Sequence, residues 1–471
     1  MVASKRAWEA YPPTYRAREM RVLANWIRAG ESGSVVGLAG AGKSNLLGFL
    51  CHQPQVMADR YLQDSSLRLA LILVDLNNLP GDDLSIFYRV ILRSLYEARS
   101  QLISLEASLP DIVEVLYRKA EDRTDPFVSQ SAVREVLLAV REKRAHLTLI
   151  LDPFDQFCQA VPTQVLDNLR GLRDSFKTTL SYLVGLRHEL AYLRDPTDLG
   201  ELYEILDTHV CWLGPMERED ARWVIGQVET AMDQSFADGW GESLIDLTGG
   251  YPALLRAASL WVAQLSPKPD TATWADHLLA EPTIQNRLRD VWQGLTSEEQ
   301  TALFVLQAAL HIASQRERKK SIDQIENQHR NGLDRLKAKR LCAETDAGWR
   351  IFSPLFAEFV ARVERISGGR IWREAETDRF FRGDGELVDL SERDRRLLRH
   401  FLDHPKAIHS IDNLVDAAWY EDDSRGVRDD AVQQAIRHLR KQIELNPAQP
   451  CYLVTRRGAG YCFFPEGAPQ V

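Results

Sequence analysis

The chain has 471 residues, 45% of them hydrophobic and 27% charged, with a formal net charge of -9. At this length about three globular domains are expected. The charge excludes a uniformly basic nucleic-acid coat but leaves room for one local basic face.

Six cysteines (Cys51, Cys158, Cys211, Cys342, Cys451, Cys462) are scattered without a C-x-x-C pair. That fits reduced thiols in the cytoplasm better than a disulfide frame or a zinc site. The first residues lead into no apolar stretch of the signal-peptide kind, and no apolar run nears the ~18–20 residues that span a bilayer. A cytoplasmic protein without a membrane partner is expected.

In chain order, Ser34-Val35-Val36 reads as a strand and Asn45-Leu46-Leu47-Gly48-Phe49-Leu50 as a helix. Between them Gly37-Leu38-Ala39-Gly40-Ala41-Gly42-Lys43-Ser44 fits G-x-x-x-x-G-K-[ST] without a mismatch. In that strand–loop–helix setting the glycines Gly37, Gly40 and Gly42 let backbone N–H groups surround phosphate oxygens. Lys43 supplies a point charge, Ser44 a magnesium ligand, and Asn45 follows them into the helix. The expected cofactors are ATP or ADP with Mg2+.

Four more apolar runs follow: 69–74 ending in Asp75, 147–151 ending in Asp152, 180–185 ending near Arg187, and 210–213 ending in Gly214-Pro215. Helical patterns at 87–99 and 131–143 separate them. Short apolar strands alternating with helices predict a parallel sheet covered on both faces. Asp152, at a strand end, is the expected second magnesium group; the alternative is a carboxylate that caps the next helix. Pro153 follows it and offers no side-chain base, so Asp155 is the candidate to orient water, and slow or conditional hydrolysis is expected. Arg187 is either a γ-phosphate sensor or a surface arginine in an ion pair. Arg170 and Arg173 read as a solvated helix face, with an arginine finger for a neighbouring subunit as the alternative.

The alternation stops near Pro215. A mostly helical stretch runs to about Arg289, interrupted by Gly249-Gly250-Tyr251-Pro252. From 295 to 365 helices and a short Trp349–Phe352 strand have the rhythm of a winged helix. Ser367-Gly368-Gly369 is a candidate linker. The expected domains are 1–215 (P-loop α/β), 216–290 (helical lid), 291–366 (winged helix) and 370–471 (a second winged helix). The basic run 316–320 reads as a solvated loop, with a DNA contact as the alternative.

In the last of these, Val432, Ile436, Leu439 and Ile443 fall at i, i+4, i+7, i+11 and predict one buried stripe. Gln433, Gln434, Arg437 and Lys441 then face outward, with side chains suited to base edges in a major groove. Arg456 and Arg457, on a hairpin turned by Gly458 and Gly460, suit phosphate or minor-groove contacts. Arg440 is expected to form an internal salt bridge.

Two resemblances follow from these residues. Residues 12 to about 365 resemble a STAND-class ATPase, a branch of the AAA+-related P-loop proteins. Tyr15-Arg16-Ala17-Arg18-Glu19 resembles the class's h-h-G-R-x-x-E segment, with Ala17 at the glycine position; this implies Arg18 in gripping the nucleotide. Gly214-Pro215 resembles its G-x-P turn, one residue short, and implies Pro215 against the adenine. Gly249–Leu255 resembles its lid motif, and Leu295–Glu299 resembles the start of the winged helix usual there. Residues 375–466 resemble the OmpR/PhoB-type winged-helix domain: Glu386–Glu392, Leu414–Trp419, Val432–Ile443 and Val454–Tyr461 match its strand, second helix, recognition helix and wing. There Asp394 stands for the family's glutamate.

Together the resemblances imply an ATP/ADP-switched regulator of transcription that binds double-stranded DNA and self-associates, its signal supplied by a protein partner, by the DNA, or through an unidentified surface. The alternatives are an ATPase acting on DNA, in mobile-element targeting, replication loading or phage defence, and a scaffold whose winged helices bind only protein.

Overall fold

The computed structural model describes residues 8, 10–63, 68–81, 83–265, 270–345, 348–367, 369–374, 377–383, 385–419, 429–444, 447, 450–456 and 459–467. The chain forms two compact units. The first comprises Met1–Gly294 and Ala338–Leu341; the second comprises Leu295–Lys337 and Cys342–Val471.

Unit one is built on five parallel strands, β1 (Gly33–Val36), β2 (Leu69–Asp75), β3 (His146–Asp152), β4 (Leu180–Leu186) and β5 (Val210–Trp212), in the order β2-β3-β4-β1-β5. Every residue of β3 and β4 is buried, which is why both read as unbroken apolar runs. From β1 the chain crosses to the far edge at β2, returns through β3 and β4, and then passes over β1 to β5. That reversal opens a crevice at the C-terminal ends of β1, β3 and β4, the place where open α/β sheets bind ligands.

Helices α1 (Ala17–Ala29), α2 (Lys43–His52), α3 (Leu84–Glu97), α4 (Leu109–Glu121) and α5 (Pro126–Glu142) pack around the sheet. In α5, Asp125 caps the Phe127 N–H and Pro126 takes the first turn, where its missing N–H costs nothing. Phe87, Ile91, Val133 and Leu137 meet Ile72 and Leu149 in the core. After Asp152 come α6 (Asp155–Ala160) and α7 (Thr163–Ser175).

The helical part of unit one holds α8 (Arg218–Met232), α9 (Trp240–Thr248), α10 (Pro252–Gln264) and α11 (Pro282–Gln293). Gly249 ends α9 in the left-handed region at φ 63°, and Pro252 opens α10.

Unit two begins with α12 (Ser297–Leu310), held by a reciprocal capping box between Thr296 and Glu299. Then come α13 (Gln315–Gln328), α14 (Arg330–Ala338), the hairpin β6 (Cys342–Thr345) and β7 (Gly348–Ile351), and α15 (Pro354–Ser367). The basic run 316–320, expected in a loop, instead lies in the first turns of α13, capped by Ser314.

The remainder is a small sheet, β8 (Ile371–Glu374), β9 (Arg379–Arg382) and β10 (Gly385–Glu386), followed by α16 (Glu392–Asp403), β11 (Ile408–His409), α17 (Ile411–Ala418), α18 (Asp429–Ile443) and the strands β12 (Leu453–Arg456) and β13 (Gly460–Phe463). Leu397, Phe401, Leu414, Val432, Ile436, Leu439, Tyr452 and Phe463 share one core. The architecture is therefore a parallel-sheet α/β unit with added helices, followed by a C-terminal winged helix.

All six cysteines are buried and unbridged. Among the described residues, no helix is long and apolar enough to cross a membrane.

Candidate functional site

The loop between β1 and α2 turns through two left-handed glycines, Gly40 at φ 79° and Gly42 at φ 88°. Gly37 sits at its base, its N–H donating to Leu186 O at 2.9 Å. α2 starts at Lys43, so its first N–H groups have no partner within the helix and favour an anion.

At the crevice, Ser44 Oγ donates to Asp152 Oδ2 at 2.8 Å. Lys43 Nζ lies 3.9 Å from Asp152 Oδ1 and 3.9 Å from Asp155 Oδ2. Asp155 Oδ1 accepts the Arg187 N–H at 2.7 Å. The Arg187 side chain is exposed, yet its charge is near enough to help lower the pKa of Lys43.

Burial dominates the charges here. It lowers Lys43, against the pull of Asp152 and Asp155, and raises Asp152, against Lys43 and the Ser44 hydrogen bond. Asp152 Oδ1 and Asp155 Oδ2 are buried without a hydrogen-bond donor. Two such oxygens beside the Ser44 hydroxyl suit a hard dication, for which oxygen ligands and phosphate are the usual company. Gly185 leaves the room: a Cβ on it would lie 2.1 Å from Asp152 Oδ1.

The carbonyl side of the loop is tied down elsewhere in unit one. Tyr251 OH donates to Ala39 O at 2.7 Å, Ala253 N to Gly40 O at 3.2 Å, and Arg16 Nη2 to Ala41 O at 2.7 Å. A Cβ on Gly40 would meet Ala253 Cβ at 2.5 Å, so only glycine allows α10 this close.

Arg16 is 1% exposed, and its Nη1 also donates to Gly214 O at 2.8 Å and Pro215 O at 3.3 Å. Its backbone N–H donates to Asp220 Oδ2 at 3.2 Å. Asp220 is pushed up to about 6, mainly by burial and against the Arg16 N–H. Arg340, from the separate segment of unit one, donates to Glu19 Oε1 at 3.1 Å and also to Pro215 O. A Cβ on Gly214 would lie 2.4 Å from Lys339 O, so that segment presses directly on the turn.

The residues expected at the site are thus distributed unevenly. Gly37, Gly40, Gly42, Lys43, Ser44, Asp152 and Asp155 converge, and Asn45 is exposed one residue beyond them. Pro215 is buried with its carbonyl bound to the two arginines. Arg18 is exposed, and Arg16 is the arginine whose side chain reaches the loop. Arg16 takes the left-handed conformation, φ 52°, just before α1, which turns its side chain inward. The buried face of α1 begins with Glu19 and Met20, leaving Arg18 outside.

Arg170 pairs with Asp174 and Glu201 inside the unit. Arg173 is buried 3.6 Å from Glu31 Oε2, which removes it from a solvated face. No motif singles out Gly185 or Arg340, whereas Tyr251 and Ala253 both lie in the Gly249–Leu255 segment that resembles a lid motif.

In unit two, Val432, Ile436, Leu439 and Ile443 are buried as one stripe of α18. Gln434, Arg437 and Lys441 are exposed and Gln433 is half-buried. Arg456 is exposed at the end of β12; Arg457 and Gly458 lie outside the described residues. Arg440 is structural, but its partners are Leu453 O at 2.8 Å and Thr455 Oγ1 at 2.9 Å rather than a carboxylate. Gly460, at φ 121°, is required because a Cβ there would fall 2.0 Å from His409 O.

Residues 385–463 match the family model described as "Transcriptional regulatory protein, C terminal", and this part of the chain is an OmpR/PhoB-type winged-helix domain. A probable transcriptional regulatory protein of Picosynechococcus sp. is 42% identical over 79 residues, 17% of this chain and 31% of that protein. The alkaline phosphatase synthesis transcriptional regulatory protein SphR of Synechococcus elongatus is 40% identical over 81 residues, 17% of this chain and 30% of that protein. The chain therefore spans about a third of the length of these relatives. Among solved structures, a Walker-type ATPase of Pyrococcus abyssi is similar with a TM-score of 0.44 and 14% identity, covering 74% of this chain and 98% of that one. The ORC2 protein of Aeropyrum pernix is similar with a TM-score of 0.36 and 14% identity, covering 74% and 94%.

Proposed function

We propose that the protein is a nucleotide-switched regulator of transcription: unit one binds Mg2+ with ATP or ADP, and the C-terminal winged helix binds double-stranded DNA. The supporting observation is the anchoring of three successive loop carbonyls, Ala39, Gly40 and Ala41, by Tyr251, Ala253 and Arg16. Phosphates bind the N–H face of these same peptides. Any reorientation of the loop on binding must therefore pull on α10, on α1 and, through Gly214 and Pro215, on the Arg340 segment.

Lys43, Ser44 and Asp152 hold the magnesium–phosphate group in this reading, with Asp155 and Arg187 beside it. Magnesium would supply charge neutralisation along the phosphates. With Pro153 after Asp152, and Asp155 already accepting the Arg187 N–H, turnover is slow and nucleotide state acts as a signal. The STAND-like order of motifs adds ADP-closed and ATP-open, self-associating states. Gln433, Gln434, Arg437 and Lys441 read base edges, while Arg456 and Arg457 contact the backbone or minor groove.

The test is selection of bound genomic DNA fragments with a non-hydrolysable ATP analogue and with ADP. One site enriched to different extents in the two states supports the switch, and Lys43→Ala should abolish the difference. Sequence-blind binding independent of nucleotide sinks it. Strong DNA-stimulated ATP turnover would instead mark an ATPase that works on DNA.

A further inference from the structure

We infer that His438 is a specificity-determining residue of the DNA-reading helix and that Asp394 positions it. The inference rests on the DNA-binding reading of the C-terminal domain. His438 lies four residues after Gln434 and three before Lys441, so the three share one face of α18. Its side chain is 52% exposed, whereas its neighbours Leu439 and Ala435 are buried. It therefore stands in the middle of the outward polar face.

Its ring does not swing freely. His438 Nδ1 lies 2.9 Å from Asp394 Oδ2. Asp394 is 1% exposed, and the same oxygen accepts the Ser391 N–H at 3.0 Å and the Ser391 hydroxyl at 2.5 Å. An acceptor already used by two donors assigns the hydrogen of the third contact to Nδ1. The ring then offers Nε2 outward, as an acceptor when neutral and as a donor when protonated. The capping box of α16 thus fixes the rotamer and tautomer of a side chain on α18. A cleft of about 350 Å3, lined by Ser391, Glu392, Arg393, Asp394, Ala435 and His438, leaves the ring's flank open to approach.

A purely structural tether between two helices would stabilise the domain and leave sequence preference alone. A reader would change preference at one base pair. The full-length protein is used to select from a randomised duplex library, comparing wild type with His438→Ala, His438→Arg and Asp394→Asn. His438→Ala should lose discrimination at a single base pair by roughly 3- to 10-fold, the scale of one hydrogen bond. His438→Arg should move that same position toward guanine, whose O6 and N7 accept a guanidinium bidentately. Asp394→Asn should weaken preference at that position, because the ring loses its charged orienter. If His438→Ala weakens all sequences alike, or leaves every position unchanged, the inference fails while the DNA-binding reading survives. If wild type enriches no sequence, both fail.

Discussion

A methyl group on Gly185 would sit 2.1 Å from Asp152 Oδ1. The neighbouring strand therefore holds an empty volume for the carboxylate that faces Ser44 and Lys43. Gly185→Ala should push Asp152 out of place and weaken Mg2+-dependent nucleotide binding by about tenfold or more, the usual effect of disturbing a ligand's supporting contacts. Titration calorimetry with and without Mg2+ checks this; unchanged affinity would contradict the assigned role of Asp152.

Arg16 and Arg18 differ by two positions and should differ sharply in consequence. Arg16→Ala leaves the Gly214 and Ala41 carbonyls short of the donor they have in the wild type, while Pro215 O keeps Arg340. A loss of about 2–4 kcal/mol is expected from such unmet buried groups. Arg18 is exposed, and Arg18→Ala should stay within about 0.5 kcal/mol of wild type. Urea unfolding of both variants, monitored in unit one, gives the comparison.

Asp220 is pushed up to about 6 by burial. For an acid whose folded pKa is raised, the native state keeps the proton longer than the unfolded chain, so stability falls as pH rises between about 4 and 6. Asp220→Asn removes that loss. The difference in Tm, variant minus wild type, should therefore grow from pH about 4 to about 7. A flat or shrinking difference would mean that the buried carboxylate is not strained by ionisation.

Arg437 and Arg456 test the division between reading and anchoring. Arg437→Ala should cost about 1–3 kcal/mol on the preferred site and relax one base position. Arg456→Ala should weaken all sequences evenly and reduce the slope of log K against log salt by about 1. Uniform weakening by Arg437→Ala would move that residue to the phosphate class.

Much of this architecture was legible because periodicity and local chemistry carried it. The five strands announced themselves as short apolar runs, and the P-loop by glycines at positions that need left-handed backbone. The stripe from Val432 to Ile443 was readable from spacing alone. What escaped depends on contacts between distant segments. Nothing near Gly40 says that Ala253 will pack on it, or that the gap beside Asp152 belongs to Gly185. The contact of Arg16 with the loop leaves no trace in a motif that counts positions, because the left-handed turn at Arg16 decides that its side chain points inward. Arg440 was placed correctly in the structure but given the wrong partner, since carbonyl acceptors leave no mark in sequence. His438 was within reach: it shares a helix face with Gln434.

The segment Ala338–Leu341 belongs to unit one although the residues on both sides of it belong to unit two. During synthesis the first 294 residues emerge with the turn at Gly214 and Pro215 still uncovered. Unit one is completed only after the ribosome has gone on to residue 341, by which time the Leu295–Lys337 part of unit two has been made. A chain shortened to Gly294 would carry the whole phosphate loop yet lack Arg340 on Glu19 and Pro215. The unit that carries the glycine-rich loop is finished by a piece of chain delivered from beyond its own end.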